Sequence, residues 1–238
     1  MTAGNFDGSS AAERPAFQRI STGNVQADAI LHGGFPANSI NIIMGQPGTG
    51  KTIFAEQLLF HNATGGRPLL YLTTLSEPMS KVVSYAQRLN FFSVDQIGTN
   101  VIYEDLGAEL SGNGPRALVP RVVAAIKRYS PAIIVIDSFK AIHDLSDSGT
   151  EMRRLVSELA GVLSAYAVTA LLLGEYTEEN IESYPEFAIA DSIVQLERKS
   201  FGARDERYLR VLKLRGSGYS EGQHAFRITK DGLGIFPR

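Results

Sequence analysis

The 238-residue sequence contains no cysteine. That absence excludes thiol nucleophiles, disulfides and thiolate metal sites. The four histidines, at 32, 61, 143 and 224, are scattered and show no metal-ligand spacing. No apolar run reaches the roughly 20 residues that span a bilayer, so no membrane partner is expected. The opening stretch "MTAGNFDGSSAAERP" lacks the apolar core of a secretory signal, and its Gly, Ser, Ala and Asp content reads as a flexible tail over 1–16. The expected compartment is therefore the cytoplasm. An excess of either charge is also missing. Lys and Arg number 23 against 25 Asp and Glu, a net charge of −2, so no global basic field attracts nucleic acid. What remains is a chain with 44% apolar residues, long enough to bury a sizeable core as one α/β domain over 17–238.

Apolar, β-branched runs alternate with segments of helical period. Strands are predicted over 39–45, 68–74, 100–106, 132–138 and 168–175. Helices are predicted over about 51–63, from Pro78 to about 89, near 115–129 and over 150–166. "LSGNGP" (110–115) reads as a flexible loop. In the last helix, Met152, Leu155, Val156, Leu159, Val162, Leu163 and Tyr166 form one apolar stripe. After 175 the pattern becomes strands without helices. "SIVQLERKSF" and "ERYLRVLKLRG" flank the turn "GARD" as a hairpin, and "HAFRITKDGLGIF" reads as a second. The whole predicts a mostly parallel sheet flanked by helices, extended at one edge by antiparallel strands.

The segment "GQPGTGKT" (45–52) matches G-x-x-x-x-G-K-[ST], with a strand before it and a helix after it. Such a loop turns backbone N–H groups toward a β-phosphate, and the helix start adds partial positive charge. The nucleotide-binding set is Gly45, Pro47, Gly48, Thr49, Gly50, Lys51, Thr52 and Ile53. Lys51 is assigned to the β- and γ-phosphates of ATP, and the Thr52 hydroxyl to Mg²⁺. The metal also needs an acid at the end of a nearby buried strand. Asp137, closing "IIVID", fits that position, and Ser138 lies beside it.

Beyond this loop, "STGNVQADAILHGGFPANSINIIMGQPGTGKTIFAEQLLF" (21–60), "KRYSPAIIVIDS" (127–138), "EFAIADSIVQL" (186–196) and "LKLRGSGYSEGQHAFRITKDGLGIFP" (212–237) resemble the KaiC family of ATPases and its RecA and RadA relatives. The resemblance covers about 17–237 in the right order. It implies a RecA-like P-loop fold, Mg-dependent ATP hydrolysis, and assembly as a homohexameric ring with nucleotide at the interfaces. A regulatory protein partner is compatible with it. In such rings the pair matching Lys213 and Arg215 reaches a neighbour's γ-phosphate. By spacing alone these two are solvated charges that share one strand face, with Leu212 and Leu214 turned to the core.

One departure matters. KaiC-type domains carry paired Glu residues after the second strand, one of which orients the attacking water. Aligned on Pro78, those positions hold Leu75 and Ser76. Glu77 is the nearby acid, read either as the water-orienting base or as an acid at the following helix N-terminus. Glu175, ending "ALLLGE", is the second candidate, matching a polar sensor of the family or else an exposed loop acid. The autokinase half of clock-type KaiC has a Ser-Thr pair where this chain has Phe187 and Ala188, so no autokinase activity is expected. Three functions follow: a slow ring-forming ATPase, an ATP-binding scaffold or sensor with negligible turnover, and a RadA-like recombination ATPase. The acidic "YTEENIESYPEF" (176–187) argues against the last, so nucleic acid is not an expected partner.

Overall fold

The computed structural model describes residues 18–64, 66–75, 78–146 and 148–238. The tail expected over 1–16 and the candidate base Glu77 lie outside the described residues. The strands are β1 (Arg19–Ile20), β2 (Phe35–Pro36), β3 (Ile40–Gly45), β4 (Leu69–Thr73), β5 (Val101–Asp105), β6 (Ile133–Asp137), β7 (Thr169–Gly174), β8 (Ser192–Phe201), β9 (Arg204–Leu214), β10 (His224–Thr229) and β11 (Gly232–Phe236). The helices are α1 (Val25–Ile30), α2 (Lys51–Asn62), α3 (Met79–Ala86), α4 (Gly107–Asn113), α5 (Leu118–Tyr129), α6 (Phe139–Asp144), α7 (Gly149–Ala165), α8 (Glu178–Ser183) and α9 (Pro185–Ile189).

Nine strands form one sheet in the order β11-β10-β9-β8-β3-β7-β6-β4-β5. From β5 to β8 every pairing is parallel, and from β8 to β11 every pairing is antiparallel. This is the mixed, mostly parallel RecA-like α/β architecture that the sequence predicts. The parallel strands are apolar on both faces because helices cover both. Alternate residues divide between two cores. Ile42, Met44, Leu70, Leu72, Ile134, Ile136, Ala170 and Leu172 pack with α5, α6 and α7. Ile43, Leu69, Tyr71, Ile133, Val135, Leu171 and Leu173 pack with α1 and α2.

The structure departs from the sequence expectations in several places. Residues 110–113 are helical, as the end of α4, because Leu106 and Leu110 lie one turn apart and both bury in the core. Short helices α8 and α9 occupy the stretch expected to hold strands alone. Tyr166 leaves the α7 stripe: it is the helix C-cap and is 41% exposed. Finally, Leu212 and Leu214 do not share a face. Lys213 pairs with Ile193 while Val211 pairs with Val194, so the ladder carries a bulge at Leu212. One extra residue reverses the alternation. Leu212 packs into the α7-side core and Leu214 into the α2-side core.

Candidate functional site

β3, β6 and β7 end side by side in parallel, so Gly45, Asp137 and Glu175 emerge at one edge of the sheet. Gly45 runs straight into the loop, and α2 starts at Lys51. Two glycines there are required by geometry. A Cβ on Gly45, at φ 152, would sit 2.1 Å from the Leu196 carbonyl oxygen of β8. Gly50 caps α2 in the left-handed region at φ 100 and lies against Ile228 of β10.

A cavity of about 350 Å³ opens under the loop. Of the predicted residues it gathers Pro47, Gly48, Gly50, Lys51, Thr52, Ile53, Asp137 and Glu175, with Ser138 beside them. Gly45 lies behind it and lines a separate cavity. Thr49 is fully buried and turns its hydroxyl back to donate to the Gln46 carbonyl at 2.8 Å. Val82 and Ile228 complete the wall and were not foreseen from the sequence.

The Lys51 ammonium donates to the carbonyls of Gly45 at 2.9 Å and Gln46 at 3.0 Å. Burial lowers its pKa from the ordinary lysine value, opposed by the carboxylates of Glu175 and then Asp137. A phosphate in the cavity would favour the charged form of Lys51. The Thr52 hydroxyl donates to Asp137 Oδ2 at 2.8 Å. The same oxygen accepts from the Tyr71 hydroxyl at 2.5 Å. Tyr71 pairs with Val135 across β4 and β6, two residues before Asp137 and on its face. Its full burial, with the Asp137 charge, raises the phenol pKa well above the usual value. The Thr74 hydroxyl clamps the next peptide, donating to the Ser138 carbonyl at 3.0 Å and accepting from its N–H at 2.9 Å.

Among the described residues no group of three or more His, Asp or Glu converges as a metal site. A Mg²⁺ site of the phosphate-loop kind needs only one or two protein oxygens, because nucleotide and water supply the rest. The adjacent hydroxyl of Thr52 and carboxylate of Asp137 fit that requirement. So does the Thr73 hydroxyl: Thr73 pairs in register with Asp137, and its buried hydroxyl has no hydrogen-bond partner among the described residues. An orphan of this kind suits an ordered water.

Lys213 and Arg215 are elsewhere. Leu214 pairs with Ser192, and Gly45 pairs with Leu196. Four residues of β8 separate these positions, about 13 Å along the strands, with two strand spacings of about 5 Å across. The cations therefore sit at the opposite edge of the sheet from their own phosphate loop. Lys213 donates to the Phe187 carbonyl at 3.3 Å, and Arg215 to the Ala188 carbonyl at 3.2 Å.

A family model described as "ATPase: KaiC" matches residues 20–238. The chain belongs to the KaiC ATPase family. It is 30% identical over 235 residues to the circadian clock oscillator protein KaiC of Picosynechococcus sp., covering 92% of this chain and 45% of that protein. It is 29% identical to KaiC 1 of Synechocystis sp., covering 94% and 45%, and 27% identical to KaiC of Synechococcus elongatus, covering 95% and 46%. The chain thus spans somewhat under half the length of these KaiC relatives. Membership in this ATPase family supports an ATP-binding NTPase domain. No helix of the described residues is long and apolar enough to cross a membrane.

Proposed function

We propose that this chain binds Mg-ATP under its phosphate loop and hydrolyses it slowly, as one subunit of a homohexameric ring with nucleotide at each interface. The observation that carries this reading is the convergence of Lys51, Thr52 and Asp137 on one cavity. The loop amides and Lys51 would bind the β- and γ-phosphates. Thr52 and Asp137 would hold Mg²⁺, which when bound neutralises phosphate charge. Glu77 is assigned as the residue orienting the attacking water, with Glu175 at the cavity wall as the alternative. Lys213 and Arg215 are assigned to the site of a neighbouring copy, where an arginine finger stabilises transition-state charge. Their place at the far edge of the sheet supports delivery in trans.

The reading extends to one ATPase domain over 17–238, a cytoplasmic setting and a signalling or regulatory role, with room for a protein partner. A second reading is an ATP-binding scaffold with negligible turnover. It is favoured by Leu75, 39% exposed, where the family places a glutamate. Two measurements on purified protein decide: native mass with and without ATP, and release of phosphate. ATP-dependent assembly with phosphate release supports the ring ATPase. Assembly without phosphate release selects the scaffold. A monomer under both conditions removes both readings.

A further inference from the structure

The site does not use Glu186, yet this carboxylate is completely buried in α9. It holds together three parts of the fold. Its Oε1 accepts from the Tyr176 hydroxyl at 2.9 Å. His143 Nδ1 of α6 faces both oxygens, at 3.2 Å to Oε1 and 3.3 Å to Oε2. The Tyr176 ring folds back on Gly174, so closely that a Cβ there would meet ring carbon Cε2 at 2.1 Å. Glu175, at the cavity wall, lies in the chain between that glycine and the tyrosine that Glu186 anchors. The imidazole of His143 stacks on Tyr184 at 3.8 Å between centroids. α6 is capped at its start by Ser138, whose hydroxyl accepts from the Ala141 N–H. Six residues of chain therefore connect Asp137 to the histidine facing Glu186.

The other side of α9 faces the far edge of the sheet. The carbonyls of Phe187 and Ala188, the two residues after Glu186, accept from Lys213 and Arg215. Asp191, just past α9, lies 3.5 Å from Arg215 and accepts from the Ile40 N–H at the start of β3. A buried carboxylate is costly unless each oxygen is compensated. Placing it at this junction makes the position of α9 depend on β7 and α6.

We infer that Glu186 is a positioning residue for the interface cations: its buried carboxylate ties α9, whose carbonyls hold Lys213 and Arg215, to the end of β7 and to the helix following Asp137. This rests on the reading of Lys213 and Arg215 as groups delivered to a neighbouring copy. Glu186 touches neither nucleotide nor reacting atoms in this scheme. It acts through the cations, so its effect vanishes where they are already removed.

The test uses full-length Glu186→Gln, which keeps the side chain's size and an acceptor for Tyr176 but removes the charge facing His143. The expected result is an ATP Kd within about twofold of the unmodified protein and a kcat lower by about tenfold, the scale of one hydrogen bond to a charged group. Combining it with Lys213→Ala and Arg215→Ala should lower kcat no further than those two substitutions do without it, because all three residues act in one chain of contacts. A second readout needs no turnover. In nucleotide-free protein, amine acylation of Lys213, quantified by peptide mass, should quicken about fivefold as α9 loosens, while Lys51 labels at its original rate. Losses that multiply in the combined variant, or unchanged Lys213 labelling in Glu186→Gln, would overturn the inference. If Arg215→Ala alone keeps full kcat, the trans reading fails, and the labelling arm still decides whether Glu186 holds the cations. Should Glu186→Gln not fold, His143→Gln removes the same contact from its more exposed side and carries the same comparisons.

Discussion

Replacing Tyr71 by Phe removes a single hydroxyl from a fully buried ring and leaves its volume unchanged. The lost contact is the 2.5 Å hydrogen bond to Asp137 Oδ2. Hydrogen bonds to charged groups contribute about 1.5–3 kcal/mol, so we expect a loss of about 2 kcal/mol at pH 8. In a chain of this length that corresponds to a Tm lower by about 4–8 °C. The pH dependence is more diagnostic. The Tyr71 pKa is raised in the folded protein, first by burial and then by the Asp137 charge. A raised pKa means that the folded state keeps its proton while the unfolded chain, titrating near pH 10, loses it. The stabilisation is complete below pH 10 and is lost as pH rises above it. By pH 11 the unfolded phenol is about tenfold ionised, which costs the unmodified protein about 1.4 kcal/mol that the Phe variant does not lose. Urea unfolding followed by circular dichroism at pH 8 and pH 11 measures both quantities. The stability gap between the two proteins should shrink by about that amount. A gap that stays constant would refute the assignment of a buried, un-ionised phenol against Asp137.

Lys51→Ala should abolish ATP binding measured by calorimetry, because it removes the ammonium placed at the loop carbonyls. Retained affinity in a folded variant would count against the phosphate-loop assignment. Glu77→Gln should slow phosphate release by about 10²–10⁴-fold with ATP binding intact. Full activity in that variant would shift the role to Glu175. Arg215→Ala should bind ATP and hydrolyse it about 10³–10⁵-fold more slowly. Mixing it with Lys51→Ala should restore turnover at interfaces that combine the two intact halves, and verified mixed rings without recovery would exclude action in trans. Labelled ATP should leave Ser and Thr between 183 and 192 unmarked, since Phe187 and Ala188 carry no hydroxyl.

The strands and the loop were legible because their signals are local. A buried parallel strand is an unbroken apolar run, and a phosphate loop is a fixed spacing of glycine, lysine and threonine. Thr52 and Asp137 were found for the same reason, and they meet at 2.8 Å. Tyr71 was not found, because a tyrosine in an apolar strand looks like core until the register places it two residues before Asp137. α4, α8 and α9 escaped because five to seven residues hold too few turns for a period to emerge. The bulge at Leu212 defeated strict alternation, which assumes that no residue is inserted. Glu186 reads in the sequence as one more acid of an acidic stretch. Its burial depends on Tyr176 and His143, which are 10 and 43 residues away.

The two edges of the sheet give the subunit a direction. Lys51, Thr52 and Asp137 lie at one end of the strands, and Lys213 and Arg215 lie at the other, with about the length of a strand between them. In the proposed ring, copies would join flank to flank, head to tail. An open row of them always has one completed site fewer than it has members, with an unmatched loop at one end and unmatched cations at the other. Closing the row removes both ends and completes the last site. Turnover per chain would then rise with protein concentration and level off once rings predominate. A kinetic titration against concentration would thus report closure directly, without an image of the particle.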